Sequence, residues 1–178
     1  MNLVKSNDPI LTTQCQKFDF QSPPFDPIEF SQELVKFMYE NNGLGLAANQ
    51  VGVPYSVFAM RGQPQNYVCF NPRIVQPSAE EIILEEGCLS FPGLVVKVKR
   101  PRHIRVRFQL PNGETVTETF IGMTARVFQH EMDHLEGKLY FNRANRYHKE
   151  VAIKKWKRGD VSTIKINPIG EYGEHLLR

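Results

Sequence analysis

Two histidines four residues apart are the side chains of this sequence best placed to do chemistry. His130 and His134 enclose Glu131 in an H-E-x-x-H motif. In a helix this spacing places both imidazoles on one face, ~6 Å apart along the axis, where they can bind one divalent metal. Glu131 then projects close to the metal and can act as a general base toward a water molecule on it. The motif therefore predicts a catalytic metal site.

Cys88 is the best candidate for a third ligand, which a catalytic site needs beside an open position for water. It stands in the segment EGCLS, residues 86–90, at the end of an apolar β-type run. A free cysteine taken alone is more often a buried structural thiol. At a strand edge, however, its thiolate could face the two histidines across a cleft. Such a ligand set allows zinc, nickel, cobalt or iron, and affinity alone favours zinc over iron.

A third segment, GLGLAANQ at residues 43–50, combines small residues with a polar amide. Gly43 and Gly45 permit close approach of backbone or substrate, although they could also serve only as a helix stop and a turn. Gln50 supplies an amide donor that could stabilise a developing oxyanion. Taken alone, Gln50 could equally be a surface side chain.

Two helices and a series of strands must position these residues. The first helix is predicted to begin after Asp26, its N-cap, and to stop at Gly43. The second is predicted to run from Thr124, its N-cap, to Glu136. Between them, residues 55–121 contain short apolar runs, alternating segments and an Asn-Gly turn, which are typical of antiparallel strands. This order predicts an α+β fold, with mostly antiparallel strands around a central H-E-x-x-H helix and another helix near the N-terminus.

The size and composition of the chain fit one soluble globular domain. It has 178 residues and a net charge of +3, too small to indicate nucleic-acid binding by itself. Three widely spaced cysteines do not form a disulfide framework and indicate a reducing compartment. No segment approaches ~20 consecutive apolar residues, so no membrane span is expected. We expect a cytoplasmic monomer.

The segments at 43–50, 86–90 and 129–137 (QHEMDHLEG), in this order, resemble those of the peptide deformylases. These metalloenzymes remove the formyl group from the N-terminal formyl-methionine of new bacterial-type proteins. The resemblance covers residues 26–142 well and is weaker outside that range. It implies formyl-methionyl nascent peptides as the substrate and ferrous iron as the physiological metal, with zinc often less active. Asn49 departs from the family, which often has proline or a small residue there.

The resemblance also implies a role for each residue of the site. The implied metal ligands are Cys88, His130 and His134, with Glu131 as the acid/base. The implied oxyanion hole consists of Gln50 and the backbone N–H of Leu89. The methionine pocket is expected to be lined by Leu44, Gly45, Met123, Arg126 and Val127. Arg126 is expected to pack its stem on the pocket and to direct its charged group toward solvent. Glu86 and Arg100 match a pair expected to form a salt bridge nearby.

Two other functions share parts of this pattern. A zinc endopeptidase also uses H-E-x-x-H, but it commonly takes its third ligand downstream of the motif, whereas Cys88 lies upstream. An inactive metal-binding homologue, or a closed structural site, would have little use for Glu131 and Gln50.

Residues 1–147 are predicted to form the deformylase domain, and residues 148–178 a basic C-terminal extension that is not a separate domain. The charges between Arg143 and Arg158 are usually no more than a solvated helix face. The alternative is contact with ribosomal RNA, where phosphates would bind the cations in a salt-dependent way.

Overall fold

The computed structural model describes residues 1–160, which contain helices and antiparallel strands. The α-helices of this part are α1 (Pro27–Glu40), α2 (Gly122–Leu135) and α3 (Arg146–Lys157). Its strands are β1 (Gly45–Ala47), β2 (Val57–Met60), β3 (Tyr67–Pro77), β4 (Glu81–Cys88), β5 (Phe91–Pro101), β6 (His103–Gln109) and β7 (Thr115–Ile121). Single-turn 3-10 helices occur at Pro9–Thr12, Ala48–Val51 and Tyr140–Arg143.

The strands form two sheets that are both antiparallel. The larger sheet has the order β1-β2-β3-β6-β7, and β4 and β5 form a separate hairpin. Helix α2 contacts β1, β2, β6 and β7 of the larger sheet and also β5 of the hairpin. The predicted α+β fold, with antiparallel strands around the H-E-x-x-H helix, is therefore confirmed.

Both faces of the larger sheet are covered at β2, which explains why this strand is an uninterrupted apolar run. Phe58 and Met60 belong to a core shared with α2, where the rings of Phe58 and Phe128 lie 5.0 Å apart. Val57 and Ala59 point the other way, into a core shared with α1. A strand buried on both faces shows no polar alternation. The sheet thus holds α2, and with it the motif, in a rigid frame.

Helix α1 begins as predicted and ends differently. Asp26 accepts hydrogen bonds from the N–H groups of Ile28 and Glu29 at 2.8 and 3.0 Å, so it is the N-cap. The prediction that Gly43 stops the helix is wrong, because Asn42 takes the left-handed conformation with φ of 54°. The N–H of Asn42 donates to the carbonyl of Tyr39, and the N–H of Gly43 donates to the carbonyl of Met38. This pair of bonds is a Schellman motif, with asparagine in the usual place of glycine.

Helix α2 begins at Gly122, two residues before the predicted N-cap Thr124. No side chain caps this end. The N–H of Gly122 instead donates to the carbonyl of Arg102 on the neighbouring chain segment. The predicted N-cap is wrong because the end of β7, a tertiary feature, determines where the helix starts. Gly137 follows the helix with φ of +66°, as a C-terminal glycine should.

Helix α3 covers the start of the predicted C-terminal extension and packs on the hairpin. Its apolar side, Ala152, Ile153 and Trp156, contacts the core beneath β5. The indole N–H of Trp156 donates to the carbonyl of Pro92 at 2.9 Å. The segment TIKI at residues 163–166, whose sequence predicts a strand, lies outside the described residues. Within residues 1–160, no helix is long and apolar enough to cross a membrane.

Candidate metal centre

Three potential ligand atoms converge from two different elements. Cys88 ends β4 of the hairpin, whereas His130 and His134 lie one turn apart on α2. One ligand atom of each residue lies within 4.8 Å of the others, and Sγ of Cys88 is 3.2 Å from Nε2 of His134. The structure therefore brings together the three residues predicted to hold the metal.

The surroundings of these side chains suit a divalent metal. Nδ1 of His130 is 3.0 Å from Oε2 of Glu86, and a carboxylate on the outer nitrogen is the usual partner of a metal-bound histidine. Nδ1 of His134 is buried and has no hydrogen-bond partner among the described residues. Within residues 1–160 the group holds three candidate ligands rather than four, which leaves room for a water molecule or substrate as in catalytic sites.

The thiol of Cys88 is poised to ionise. Burial by itself raises the pKa of this thiol, but the adjacent His134 and His130 outweigh burial and hold the pKa well below its ordinary value. The thiolate is the form of cysteine that binds metals. In contrast, burial raises the pKa of Cys15 to about 11, and it also raises that of the fully buried Cys69. Only Cys88, of the three cysteines, has the chemistry of a ligand.

Glu131 has the environment of a general acid/base. Its side chain is buried, and Oε2 has no hydrogen-bond partner within residues 1–160. Burial raises its pKa to about 7, although the neighbouring His130 and His134 favour the carboxylate and so limit the rise. A carboxyl group that titrates near neutral pH can both accept and return a proton during turnover.

Gln50 is held in one orientation by three contacts. It lies in the 3-10 turn Ala48–Val51, where its Oε1 accepts a 2.9 Å hydrogen bond from the N–H of Ala47. Its Nε2 donates to Oγ of Ser90 at 3.0 Å and lies 3.4 Å from Sγ of Cys88. The amide nitrogen thus faces the site, where it can stabilise negative charge. Leu89 follows Cys88 in the turn of the hairpin.

A buried ionic network supports the two histidines from behind. Arg100 binds Glu86 through two nitrogens, at 2.7 and 2.9 Å, which confirms the predicted salt bridge. Arg100 also contacts Asp133 at 2.9 Å, and Asp133 in turn binds Arg143 at 2.6 Å. By its position in the helix motif alone, Asp133 could either support the ligands or be an exposed acidic residue. In the structure its side chain is buried, so it belongs to the network.

Arg126 is the one predicted pocket residue whose side chain behaves differently from expectation. Its guanidinium was expected to reach solvent, but the residue is buried. It binds Oε1 of Glu86 at 2.8 Å and the carbonyls of Val98 and Ile82 at 2.9 and 2.7 Å. The prediction was wrong because the partner carboxylate and carbonyls come from the hairpin, which the sequence around the helix does not show.

A cavity of about 510 Å³ opens beside the candidate metal centre. All five residues predicted to line a methionine pocket line it, namely Leu44, Gly45, Met123, Arg126 and Val127. Gln50, Cys88, Leu89, His130 and Glu131 line the same cavity. Sequence reasoning missed other lining residues, Asn42, Glu85, Gly87, Gly93, Leu94 and Val95. Most of these belong to the hairpin, where an inward orientation follows only from the packing of the hairpin against α2.

Gly45 shows why the wall of the cavity needs glycine. A Cβ atom at this position would lie 2.3 Å from Oε1 of Glu131 and 2.8 Å from Cγ1 of Val127. Neither distance is compatible with a real contact, so any side chain here would displace the candidate acid/base.

Comparison with known proteins assigns the family. The sequence model described as polypeptide deformylase matches residues 1–150. The peptide deformylase of Thermotoga petrophila is 41% identical over 140 residues, 76% of this chain and 82% of that protein. That of Aquifex aeolicus is 39% identical over 133 residues, 71% and 78% of the two chains. The crystal structure of peptide deformylase from Thermus thermophilus matches with a TM-score of 0.82 at 32% identity, covering 89% of this chain and 93% of that chain.

The chain belongs to the polypeptide deformylase family. The predicted activity is confirmed: it is a metal-dependent hydrolase that removes the N-terminal formyl group from nascent polypeptides. The group formed by Cys88, His130 and His134 fits the metal dependence of this family.

Proposed function

We propose that Cys88, His130 and His134 hold one ferrous ion, and that Glu131 is the acid/base of formyl hydrolysis. The observation that carries this proposal is the convergence of three ligand atoms within 4.8 Å beside a buried, unpaired carboxylate oxygen of Glu131. The bound metal supplies Lewis acidity, polarising the formyl oxygen and lowering the pKa of a water molecule. The remaining steps are carried out by side chains of the protein.

The cavity beside the site is proposed to receive the methionine side chain of the substrate. Leu44, Met123 and Val127 supply an apolar wall that fits an unbranched thioether. The buried stem of Arg126 is part of the same wall, while Glu86 neutralises its charge. This placement brings the formyl carbon, next to the methionine nitrogen, beside Glu131.

Glu131 is proposed to move one proton twice. Its carboxylate first takes a proton from the attacking water, and the new carbon–oxygen bond makes the formyl oxygen an oxyanion. Nε2 of Gln50 and the backbone N–H of Leu89 donate hydrogen bonds to this oxyanion. Glu131 then gives its proton to the leaving amine nitrogen as the carbon–nitrogen bond breaks, which releases formate and the free methionyl peptide.

Substitution of Glu131 tests the assignment of the acid/base. We expect Glu131→Gln to retain stoichiometric metal and to lose formate release from formyl-Met-Ala-Ser. Glu136→Gln is the matched control, because Glu136 lies just beyond the same helix and contacts only the exposed Lys138 in the described structure. Turnover of Glu131→Gln at the rate of the control would contradict the role. Cleavage of internal peptide bonds by the wild-type protein would instead indicate an endopeptidase.

The identity of the metal is tested separately from the site. The proposal of iron follows from the family resemblance, because two imidazoles and a thiolate also accept zinc, nickel or cobalt. Protein purified without oxygen is expected to contain iron and to lose activity in air, as a thiolate-ligated ferrous ion would. Full zinc occupancy with undiminished activity would overturn the choice of iron.

Ribosome contact is proposed for the exposed face of α3. Its apolar side packs against the hairpin, so Lys154, Lys155, Lys157 and Arg158 remain exposed to a polyanion. We expect co-sedimentation with ribosomes that weakens with salt and is lost when the three lysines are replaced by glutamine. Binding that survives these substitutions would remove α3 from the interaction.

A cytoplasmic monomer is the proposed state of the enzyme. Nascent chains are made in the cytoplasm, and the three cysteines are free thiols in the structure. All three candidate ligands and the cavity come from one chain, so the site needs no second copy. Sedimentation at the mass of two chains would contradict the monomer.

A further inference from the structure

Asn49 is a buried side chain that touches a candidate metal ligand from the protein interior. It is 0% exposed, and its Nδ2 donates a 2.7 Å hydrogen bond to the backbone carbonyl of His134. The same nitrogen lies 3.4 Å from the carbonyl of Ile10 in the N-terminal 3-10 helix. The side chain therefore ties the last turn of α2 to the segment that carries Gln50.

The orientation of His134 depends on its backbone more than that of His130 does, because the two imidazoles differ in their hydrogen bonds. The outer nitrogen of His130 is held by Glu86, whereas that of His134 has no hydrogen-bond partner within residues 1–160. The ring of His134 is thus oriented by its packing and by its backbone. That backbone lies at a helix end, where carbonyls lack their regular intrahelical partners. The carbonyl of His134 receives one bond from Gly137 at 3.1 Å, and Asn49 provides the second and shorter one.

The 3-10 turn Ala48–Val51 contacts two candidate ligands that come from different elements. Through Gln50 it reaches Cys88 on the hairpin, and through Asn49 it reaches His134 on α2. Neighbouring residues of one tight turn have nearly fixed relative positions. The turn can therefore act as a spacer between the hairpin and the helix.

We propose that Asn49 is a positioning residue, which fixes His134 relative to Cys88 and so sets the geometry and affinity of the metal centre. The proposal rests on the ligand assignment made above. Asn49 does not line the cavity and is not one of the three candidate ligands, so it acts through the backbone of His134.

The test uses full-length protein loaded with cobalt, whose visible spectrum reports ligand geometry. Asn49→Leu keeps the number and branching of the side-chain heavy atoms but has no hydrogen-bond donor, and Asn49→Ala removes the side chain beyond Cβ. We expect both variants to bind cobalt roughly 10–100-fold more weakly in chelator competition, as is typical when a supporting hydrogen bond to a ligand is lost. We also expect their cobalt absorption bands to shift.

Asn41→Ala is the matched control, since Asn41 also donates to a backbone carbonyl at a helix end, that of Phe37 at 2.9 Å. Its cobalt affinity and spectrum should equal those of wild type, even where its melting temperature falls. A wild-type spectrum and affinity in Asn49→Leu would overturn the proposal. If Asn49→Ala does not fold, Asn49→Leu, whose side chain has the same branching, decides the question.

A further variant separates this proposal from the ligand assignment itself. Cys88→Ser is expected to abolish the thiolate-to-cobalt absorption band. If that band persists in Cys88→Ser, the ligand assignment has failed, and the role of Asn49 fails with it. If Cys88→Ser loses the band but Asn49→Leu matches wild type, only the role of Asn49 is wrong.

Discussion

Oε2 of Glu86 lies 3.0 Å from Nδ1 of His130, so a buried carboxylate of the hairpin orients an imidazole of the helix. Burial alone raises the pKa of Glu86, but Arg100 and His130 outweigh it and hold the pKa well below its ordinary value. Glu86 is therefore ionised at neutral pH and leaves the opposite nitrogen of His130 available to a metal. The bond also joins two elements that are far apart in the sequence.

Arg100 is expected to be essential for the stability of this arrangement. Arg100→Met removes a nearly fully buried cation that binds both Glu86 and Asp133. Leaving buried carboxylates short of a partner typically destabilises a protein by about 3–5 kcal/mol. The free energy of unfolding, measured in urea, should fall by that order. Arg102→Met is the control, because its pair with Glu80 is exposed and should contribute no more than about 1 kcal/mol. If the free energy of unfolding fell equally in Arg100→Met and Arg102→Met, the buried network would not have the stabilising role assigned to it.

Gly45→Ala is expected to damage catalysis without removing the metal. The added methyl group would meet Oε1 of Glu131 at 2.3 Å and must push this proposed acid/base aside. Displacements of about 1 Å in an active site can lower rates about 10²-fold, so kcat/KM for formyl-Met-Ala-Ser should fall at least by that order. Gly159→Ala should keep full activity, because its Cβ meets nothing within 4 Å, although its φ of +80° strains the backbone and should lower the melting temperature. Wild-type kinetics in Gly45→Ala would show that Glu131 tolerates displacement.

Gln50→Leu is expected to lower kcat far more than it changes KM. The amide nitrogen that faces the site is lost, and removal of one oxyanion donor typically lowers kcat about 10²–10³-fold. Steady-state formate release measures both constants. Gln109→Leu serves as the control, because Gln109 donates to the carbonyl of Gly113 in the turn between β6 and β7, away from the candidate site. A rise in KM alone would mean that Gln50 binds substrate rather than the transition state.

The three cysteines are expected to differ in their reaction with iodoacetamide once the metal has been removed. Cys88 should be alkylated first at pH 7, because its lowered pKa supplies thiolate and it borders the cavity. Cys15 has a pKa raised to about 11, so its thiolate and its labelling should increase only as the pH rises toward that value. Mass spectrometry of peptides locates the label. Reloading with cobalt should protect Cys88, and failure to protect it would argue against its being a ligand.

The sequence predicted those features that depend on local pattern. The capping role of Asp26, the strands around Val57 and Tyr67 and the helix bearing His130 all follow from short-range preferences, and the structure contains them. The segments 43–50, 86–90 and 129–137 supplied the candidate site residues, which line one cavity or lie beside it.

The features that the sequence did not predict depend on contacts between distant elements. Helix α2 starts at Gly122 because β7 ends there and the carbonyl of Arg102 lies opposite. The guanidinium of Arg126 is buried because the hairpin offers carbonyls and Glu86 at the right distance. The pairing of β4 with β5 as a separate sheet likewise has no local signal. Periodicity shows which face of an element is apolar, but not which element covers it.

The division of the three candidate ligands between hairpin and helix has a consequence for the lifetime of the protein in a cell. An unfolded chain does not hold Cys88 near His130 and His134, so metal binds the folded form and shifts the equilibrium toward it. In a metal-starved cell, a larger share of the chains would be unfolded and open to proteases. The amount of enzyme would then follow the metal supply even when its synthesis is constant.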